Sequence, residues 1–470
     1  MMKRITTSLV ALLALSGISE ARQVQMDVAL ANPFLEAGKK NTTYLKVGLT
    51  GFEMADDQER TPVNVALVID KSSSMGGEKI AQARNAAKMA IERLREDDIV
   101  SIVTYDSNVQ VLVPATKLTD KAEVLRRIDE IQAGGSTALF AGVSKGAAEL
   151  RKFLANDRVN RVILLSDGQA NVGPKSPGEL GELGESLVKE GISVSTIGLG
   201  LGYNEDLMVK LAFKSDGNHI FVEDEDQLVG IFDEEFGDIL SVVAQEVVVE
   251  IECAPGIRPV RMLGREADIS GQRVITMLNQ IYSGQEKYIL LEVEVPVGRP
   301  DATLQVATVN VAYANMSTQT TDELASTLGV RFTASAELAA SEANEEVMEA
   351  SVLLIATDRN KLAVKLRDEG KVKEAKVLLT ENAIYLEENA QVLESKQLAD
   401  YAVSNRDDAD NVDKDWGRQR KAMVQQGYTN TVQQKESLSI GSLGKRRSDA
   451  TAPNPPASKT DKPQLQKKSK

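Results

Sequence analysis

One short loop gathers several oxygen-bearing side chains. Asp70, Ser72 and Ser74 alternate directly after the apolar run 63–69, and two glycines follow at 76–77. Carboxylate and hydroxyl oxygens are hard ligands, which suit Mg²⁺ or Mn²⁺ in an octahedral site completed by water. The loop therefore indicates a divalent-cation site, although a serine at such a position, taken singly, is more often a helix N-cap.

Two further loops carry the same type of ligand. Thr137 ends the glycine loop 134–137, and Asp167 follows a second buried apolar run at 161–165. These positions fall at the carboxyl ends of predicted strands or the starts of helices, where open α/β sheets bind ligands. We predict one metal site with five ligands: Asp70, Ser72, Ser74, Thr137 and Asp167. Since only two of the five are charged, a bound divalent cation keeps positive character and can accept a further anionic ligand.

The elements that must position these ligands alternate between strand and helix over residues 63–242, which is typical of an α/β layer fold. The run 63–69 is predicted to be a central strand buried on both faces. Residues 78–94 have the apolar spacing of a helix. The connection between the predicted strands 99–105 and 109–113 is too short for a parallel crossover, so we expect a hairpin there. The prediction is a Rossmann-like α/β domain with a mostly parallel central sheet.

The segments around this domain have a different character. Residues 22–62 hold two strand-like pieces, and residues 243–321 hold strands separated by Pro and Gly turns, so we expect them to form one β-sandwich with the α/β domain inserted. Residues 322–440 are predicted to be helical, with a helical hairpin that turns at Gly370. Residues 441–470 carry eight Lys or Arg against two Asp, with few apolar residues, which predicts a disordered basic tail.

Composition argues against several classes of protein. The formal net charge of −14 is unlike that of a nucleic-acid-binding protein. The single cysteine, Cys253, rules out an internal disulfide framework, and the single histidine, His219, rules out a histidine-rich zinc site. Zinc-protease and phosphate-loop signatures are both missing from the sequence. We therefore expect a protein that is not an enzyme.

The first 21 residues have the pattern of a signal peptide. Lys3 and Arg4 precede an apolar core at 9–15, and small residues at Ser19 and Ala21 suit cleavage after Ala21. The apolar core is too short to span a bilayer, and no later stretch is a transmembrane candidate. We therefore expect an exported protein, either periplasmic or secreted.

Over residues 63–242, the five predicted ligands resemble the metal-ion-dependent adhesion site of von Willebrand factor type A domains. The resemblance implies that the two serines bind the metal directly and that the threonine joins them in the ligand-competent state. It implies that the aspartates act directly or through water. Ser73 departs from this pattern, because many relatives have glycine there. The whole chain also resembles secreted bacterial proteins labelled calcium-activated chloride channel homologues, although nothing in it could form a pore.

This resemblance favours an exported, metal-dependent protein-binding or adhesion module. Its cofactor would be a divalent cation, with Mg²⁺ the first choice and Mn²⁺ or Ca²⁺ the alternatives. Its partner would be a protein that offers a carboxylate. One alternative is a structural or assembly protein whose helical region binds the partner. Another is a hydrolase that uses the metal.

Overall fold

The computed structural model describes residues 23–54 and 60–434. The chain starts with three strands: β1 (Gln25–Leu30), β2 (Phe34–Glu36) and β3 (Asn41–Thr50). The six strands of the α/β domain follow: β4 (Val63–Asp70), β5 (Ile99–Tyr105), β6 (Val109–Lys117), β7 (Val159–Ser166), β8 (Ile192–Leu199) and β9 (His219–Val222). Its main helices are α1 (Glu78–Arg93), α2 (Lys121–Asp129), α3 (Leu139–Leu150), α4 (Pro177–Val188), α5 (Glu205–Lys214) and α6 (Leu228–Leu240).

The central sheet has the strand order β6-β5-β4-β7-β8-β9. The predicted hairpin of β5 and β6 is confirmed, because these two strands pair antiparallel while the other neighbours are parallel. All eight residues of β4 are buried, since alternate side chains enter two separate cores. Leu67 packs in the core that includes α1, α2 and α6, whereas Val68 packs in the core that includes α3, α4 and α5.

Seven strands follow the α/β domain: β10 (Val242–Cys253), β11 (Arg258–Leu263), β12 (Asp268–Ser270), β13 (Arg273–Tyr282), β14 (Glu286–Val295), β15 (Thr303–Asn315) and β16 (Thr320–Thr333). They form two sheets with the first strands, in the orders β1-β3-β14-β11 and β12-β13-β10-β15-β16-β2. Residues from both sheets, such as Val47 and Val249, share one apolar core. The chain therefore leaves this β-sandwich after β3 and re-enters it at β10.

The predicted start of the helical region at residue 322 is wrong, because β16 continues to Thr333 and pairs with β15. Five helices follow: α7 (Ala336–Ser341), α8 (Glu345–Asp368), α9 (Val372–Val392), α10 (Lys396–Asn411) and α11 (Trp416–Val432). The hairpin of α8 and α9 turns at Gly370, whose φ of +79° is a left-handed conformation that glycine adopts without strain. The last helix, α11, packs on α8, β9 and α5, and so joins the helical region to the α/β domain.

The predicted signal peptide at 1–21 and the predicted basic tail at 441–470 lie outside the described residues. Within residues 23–54 and 60–434, no helix combines the length and the apolar composition that a membrane crossing requires.

Candidate metal centre

The loop after β4 is fixed in place by the glycine loop before α3. The backbone N–H and the side-chain hydroxyl of Ser73 both donate to the carbonyl of Gly135, at 3.0 and 3.1 Å. The N–H of Gly134 donates in turn to the carbonyl of Lys71, at 2.7 Å. Ser73 has no positive φ, so its backbone conformation does not require glycine. The two loops therefore form one unit at the carboxyl end of β4.

Asp70 is buried, and both of its carboxylate oxygens accept hydrogen bonds. Oδ1 accepts the N–H of Ser72 at 2.8 Å, and Oδ2 accepts the hydroxyl of Ser166 at 2.6 Å. Burial raises the pKa of Asp70 above its ordinary value, and these two hydrogen bonds partly oppose the shift. Asp70 thus holds the Ser72 backbone in place and supplies a buried carboxylate next to the loop.

The two serines and Asp167 form a continuous row of oxygen atoms. The hydroxyl oxygens of Ser72 and Ser74 are 3.1 Å apart, and the Ser74 hydroxyl donates to Asp167 Oδ1 at 2.6 Å. Neighbouring ligands around an octahedral Mg²⁺ at about 2.1 Å lie about 3 Å from each other. Ser72 and Asp167, at the two ends of the row, are buried, whereas Ser74 between them is exposed, so the row opens to solvent at its middle.

Thr137 faces the same row from the glycine loop. A Cβ atom added at Gly168 would lie 3.1 Å from Thr137 Oγ1 and 3.5 Å from Ser74 Oγ, so both hydroxyls line the space beside this glycine. The Thr137 N–H donates to Asn171 Oδ1 at 2.8 Å, and this hydrogen bond fixes the Thr137 backbone. The structure thus brings all five predicted ligands to one end of the sheet.

Lys79, in the first turn of α1, also contacts this row. Its ammonium group donates to Asp167 Oδ2 at 2.6 Å; the Asp167 side chain is fully buried and that of Lys79 is 29% exposed. Sequence reasoning placed Lys79 only on a helix, and it overlooked Ser166 and Asn171 as supporting residues. Ser166 could have been found, because it directly precedes the predicted ligand Asp167 in the sequence. Lys79 and Asn171 have no such signal, because their contacts depend on how α1 and the loop after β7 fold back onto the site.

The chemistry of this cluster suits a hard cation better than a soft one. Within the described part of the chain, no three His, Cys, Asp or Glu side chains are grouped as metal ligands. A metal at this position would therefore rely on hydroxyl oxygens, with Asp70 and Asp167 as the nearby negative charges. Such an oxygen set fits Mg²⁺, Mn²⁺ or Ca²⁺, whereas Zn²⁺ favours nitrogen and sulfur ligands.

Comparison with known proteins agrees with the fold and with the position of these loops. The family model of the von Willebrand factor type A domain matches residues 64–234, which extend from β4 into α6. This segment is a von Willebrand factor type A domain. Domains of this family commonly mediate protein–protein interaction or adhesion.

Among curated proteins, the chain is similar to the uncharacterized protein YfbK of Escherichia coli K12, with 30% identity over 227 residues. The match covers 48% of this chain but only 39% of YfbK, so less than half of that relative's length is matched. The name of this relative gives no support to the resemblance to chloride channel homologues.

Two solved structures share the arrangement beyond the type A domain. One is a von Willebrand factor type A protein from Catenulispora acidiphila, with a TM-score of 0.66 and 16% identity, covering 83% of this chain and 91% of that one. The other is the ArnB paralog VWA2 from Sulfolobus acidocaldarius, with a TM-score of 0.61 and 17% identity, covering 88% and 99%. At these identities, the likeness concerns the fold alone.

Proposed function

We propose that the chain is an exported protein-binding module whose type A domain binds a carboxylate of a protein partner through a divalent cation, with Mg²⁺ the first choice. Ser72, Ser74 and Thr137 would hold the ion, together with the charges of Asp70 and Asp167. When bound, the ion would supply a Lewis-acid site for the partner's carboxylate. We propose a binding protein and not an enzyme, because domains of this family generally act as interaction modules.

One observation carries the proposal. The hydroxyls of Ser72 and Ser74 lie 3.1 Å apart beside a buried carboxylate, and Ser74, which lies between Ser72 and Asp167, is exposed to solvent. The spacing suits adjacent ligands of a small octahedral cation. The buried Asp167 supplies negative charge, and the exposure at Ser74 leaves room for a ligand from another molecule.

The first test is a calorimetric titration of Mg²⁺ and of Mn²⁺ into the purified chain. We expect saturable binding that is lost in the double variant Ser72→Ala/Ser74→Ala. Ser73→Ala is the matched control, because Ser73 is an exposed serine of the same loop whose hydroxyl bonds only the Gly135 carbonyl. Equal binding by the double variant and the control would refute the site.

The second test asks whether a bound ion accepts a carboxylate. Water-proton relaxation by protein-bound Mn²⁺ reports how many water molecules remain on the ion. Added acetate should reduce this relaxation if a carboxylate replaces water, whereas methylammonium at the same concentration should not. An unchanged relaxation with acetate would argue for a closed, purely structural ion.

Export is tested separately, by mass spectrometry of the protein recovered from the periplasmic fraction and the medium. We expect its chain to start at Arg22. An intact N-terminus in the cytoplasmic fraction would contradict export without affecting the metal site.

A further inference from the structure

A cleft of about 670 Å³ lies where the type A domain meets the helical region, on the side formed by α5, α8 and α11. Its size is within the range of small-molecule sites, and junctions between domains are common places for such sites. The apolar side chains that line it include Val209, Phe213, Val364, Met423 and Val424. We name it the α5–α8–α11 cleft.

Three lysines also line the α5–α8–α11 cleft: Lys210 of α5, and Lys361 and Lys365 of α8. Lys361 donates to the Thr431 hydroxyl at 2.9 Å and lies 3.6 Å from Asp358. Among the described residues, neither Lys210 nor Lys365 has a carboxylate within ion-pair distance. The cleft thus combines an apolar surface with positive charges that are available to a ligand.

The carboxylates of the cleft already have partners. Arg420 donates to both oxygens of Asp206 at 2.9 Å and pairs with Asp368 at 2.9 Å. Glu369 pairs with Lys371, at 2.7 Å, and this ion pair lowers the pKa of Glu369. Arg420 also pairs with Glu205, at 2.6 Å. Among the described residues that line the cleft, the charged side chains without an ion pair are therefore Lys210 and Lys365.

We propose that the α5–α8–α11 cleft binds a long-chain carboxylate, with its hydrocarbon chain on the apolar residues and its charged group near Lys210 and Lys365. The apolar area would stabilise binding by removal from water. The lysines would select the anion over an uncharged analogue. This site is independent of the proposed metal centre.

The test is a titration of oleate, below its micelle concentration, into the full chain. The single tryptophan, Trp416, reports on binding, because its Nε1 donates to Asp368 at 2.9 Å and Asp368 lines the cleft. We expect saturable binding of one oleate per chain, observed both as a change in tryptophan fluorescence and by calorimetry. Methyl oleate, which lacks the charge, should bind about tenfold more weakly or worse.

The charge-reversal variant Lys210→Glu/Lys365→Glu should weaken oleate binding by about tenfold or more. The matched control is Lys373→Glu, since Lys373 is exposed on α9 and does not line the cleft. Val424→Gln, which places a polar group on the apolar wall, should also weaken binding. Thermal melts followed by circular dichroism verify that each variant is folded.

Three results would overturn the proposal. Absence of saturable binding is the first, and equal affinity of the double variant and the control is the second. The third is binding of an amphipathic acidic peptide without binding of oleate, which would make the cleft a protein-docking surface instead.

Discussion

Lys79 and a divalent cation would both act on one carboxylate. Lys79 donates to Asp167 Oδ2, while the Ser74 hydroxyl occupies Oδ1. Because Asp167 is fully buried, its charge needs a compensating partner, and the ammonium group provides one. A metal ion that binds here would be repelled by the Lys79 ammonium group, which already pairs with Asp167. Lys79 should therefore reduce the affinity for metal and stabilise the metal-free protein.

We predict that Lys79→Met raises the Mg²⁺ affinity by about tenfold, because metal binding no longer has to overcome this charge. The free energy of unfolding without metal should fall by about 1–3 kcal/mol, since Asp167 loses its charged partner. Calorimetry and urea unfolding measure the two effects. Lys88→Met is the control, because Lys88 of the same helix pairs with Asp129, 2.8 Å away at the surface. Weaker Mg²⁺ binding by Lys79→Met would show that Lys79 supports the ion.

Residue types and their order were sufficient to predict which side chains meet at the end of β4. The positions of Asp70 and Asp167 follow from the rule that parallel strands end at the same edge of a sheet. Thr137 was placed by its position in the glycine loop just before α3. The role of each as a metal ligand stays a prediction. Lys79 could not be predicted in the same way, because its contact depends on the direction of one long, flexible side chain.

At the scale of elements, α11 covers the edge of the central sheet. The side-chain amide of Gln425 forms hydrogen bonds with the backbone of the edge strand β9, as a neighbouring strand would. Its Nε2 donates to the His219 carbonyl at 2.9 Å, and its Oε1 accepts the Phe221 N–H at 2.8 Å. The Lys421 ammonium group donates to the Tyr203 carbonyl at 2.7 Å, and so holds the loop between β8 and α5. Exposed sheet edges promote association between chains, and a covering helix prevents it.

Gln425→Leu should lower the free energy of unfolding by about 2–4 kcal/mol, since each buried backbone group left without a partner costs about 1–3 kcal/mol. Chemical denaturation measures the loss, and light scattering detects any association through β9. Gln426→Leu is the control, because the adjacent Gln426 is only half-buried. Equal stability of the two variants would mean that packing alone attaches α11.

The sequence pattern was sufficient for the strands and helices of the α/β domain, since their apolar runs are continuous and each lies in a local core. The sequence pattern failed where the conformation of a segment is determined by residues that are distant in sequence. The segment that forms β16 contains Glu, Leu and Ala, which favour a helix, but pairing with β15 over residues 303–315 determines its conformation. The helical state of α11 lies within the predicted helical region, but because α11 buries Lys421 and Gln425, no apolar period indicates which of its faces is buried.

At the scale of the whole molecule, polar groups buried between the domains join the type A domain to the β-sandwich. Arg161 of β7 is fully buried and donates to Glu235 of α6 and to the Tyr282 hydroxyl of β13, both at 3.0 Å. Asp216, between α5 and β9, accepts from Arg265 of the sandwich at 2.8 Å and from the backbone N–H of Asn279. These pairs are far apart in sequence, so no local pattern could predict them. Since they include carboxylates, we expect the stability of the junction to be sensitive to pH.

Asp216 provides the test of that sensitivity. Burial alone would raise its pKa, but Arg265 and Lys287 outweigh burial and hold the pKa at about 2, below its ordinary value of 3.8. The folded chain therefore keeps this carboxylate charged at pH values where the unfolded chain protonates it. The resulting stability of about 2 kcal/mol is fully present above about pH 4 and is lost as the pH falls towards 2.

We expect Asp216→Asn to lower the free energy of unfolding by about 2 kcal/mol at pH 6, with a difference from the unmodified chain that shrinks between pH 4 and pH 2. Asparagine tolerates the left-handed conformation of this position, whose φ is +49°, so the variant removes charge without adding backbone strain. Urea unfolding at pH 6, 4 and 2.5 measures the difference. A difference that stays constant over this range would assign the stabilisation to hydrogen bonding and not to charge. A difference that vanishes in acid would establish that the junction between the type A domain and the sandwich is held by an ion pair, and that acid loosens it.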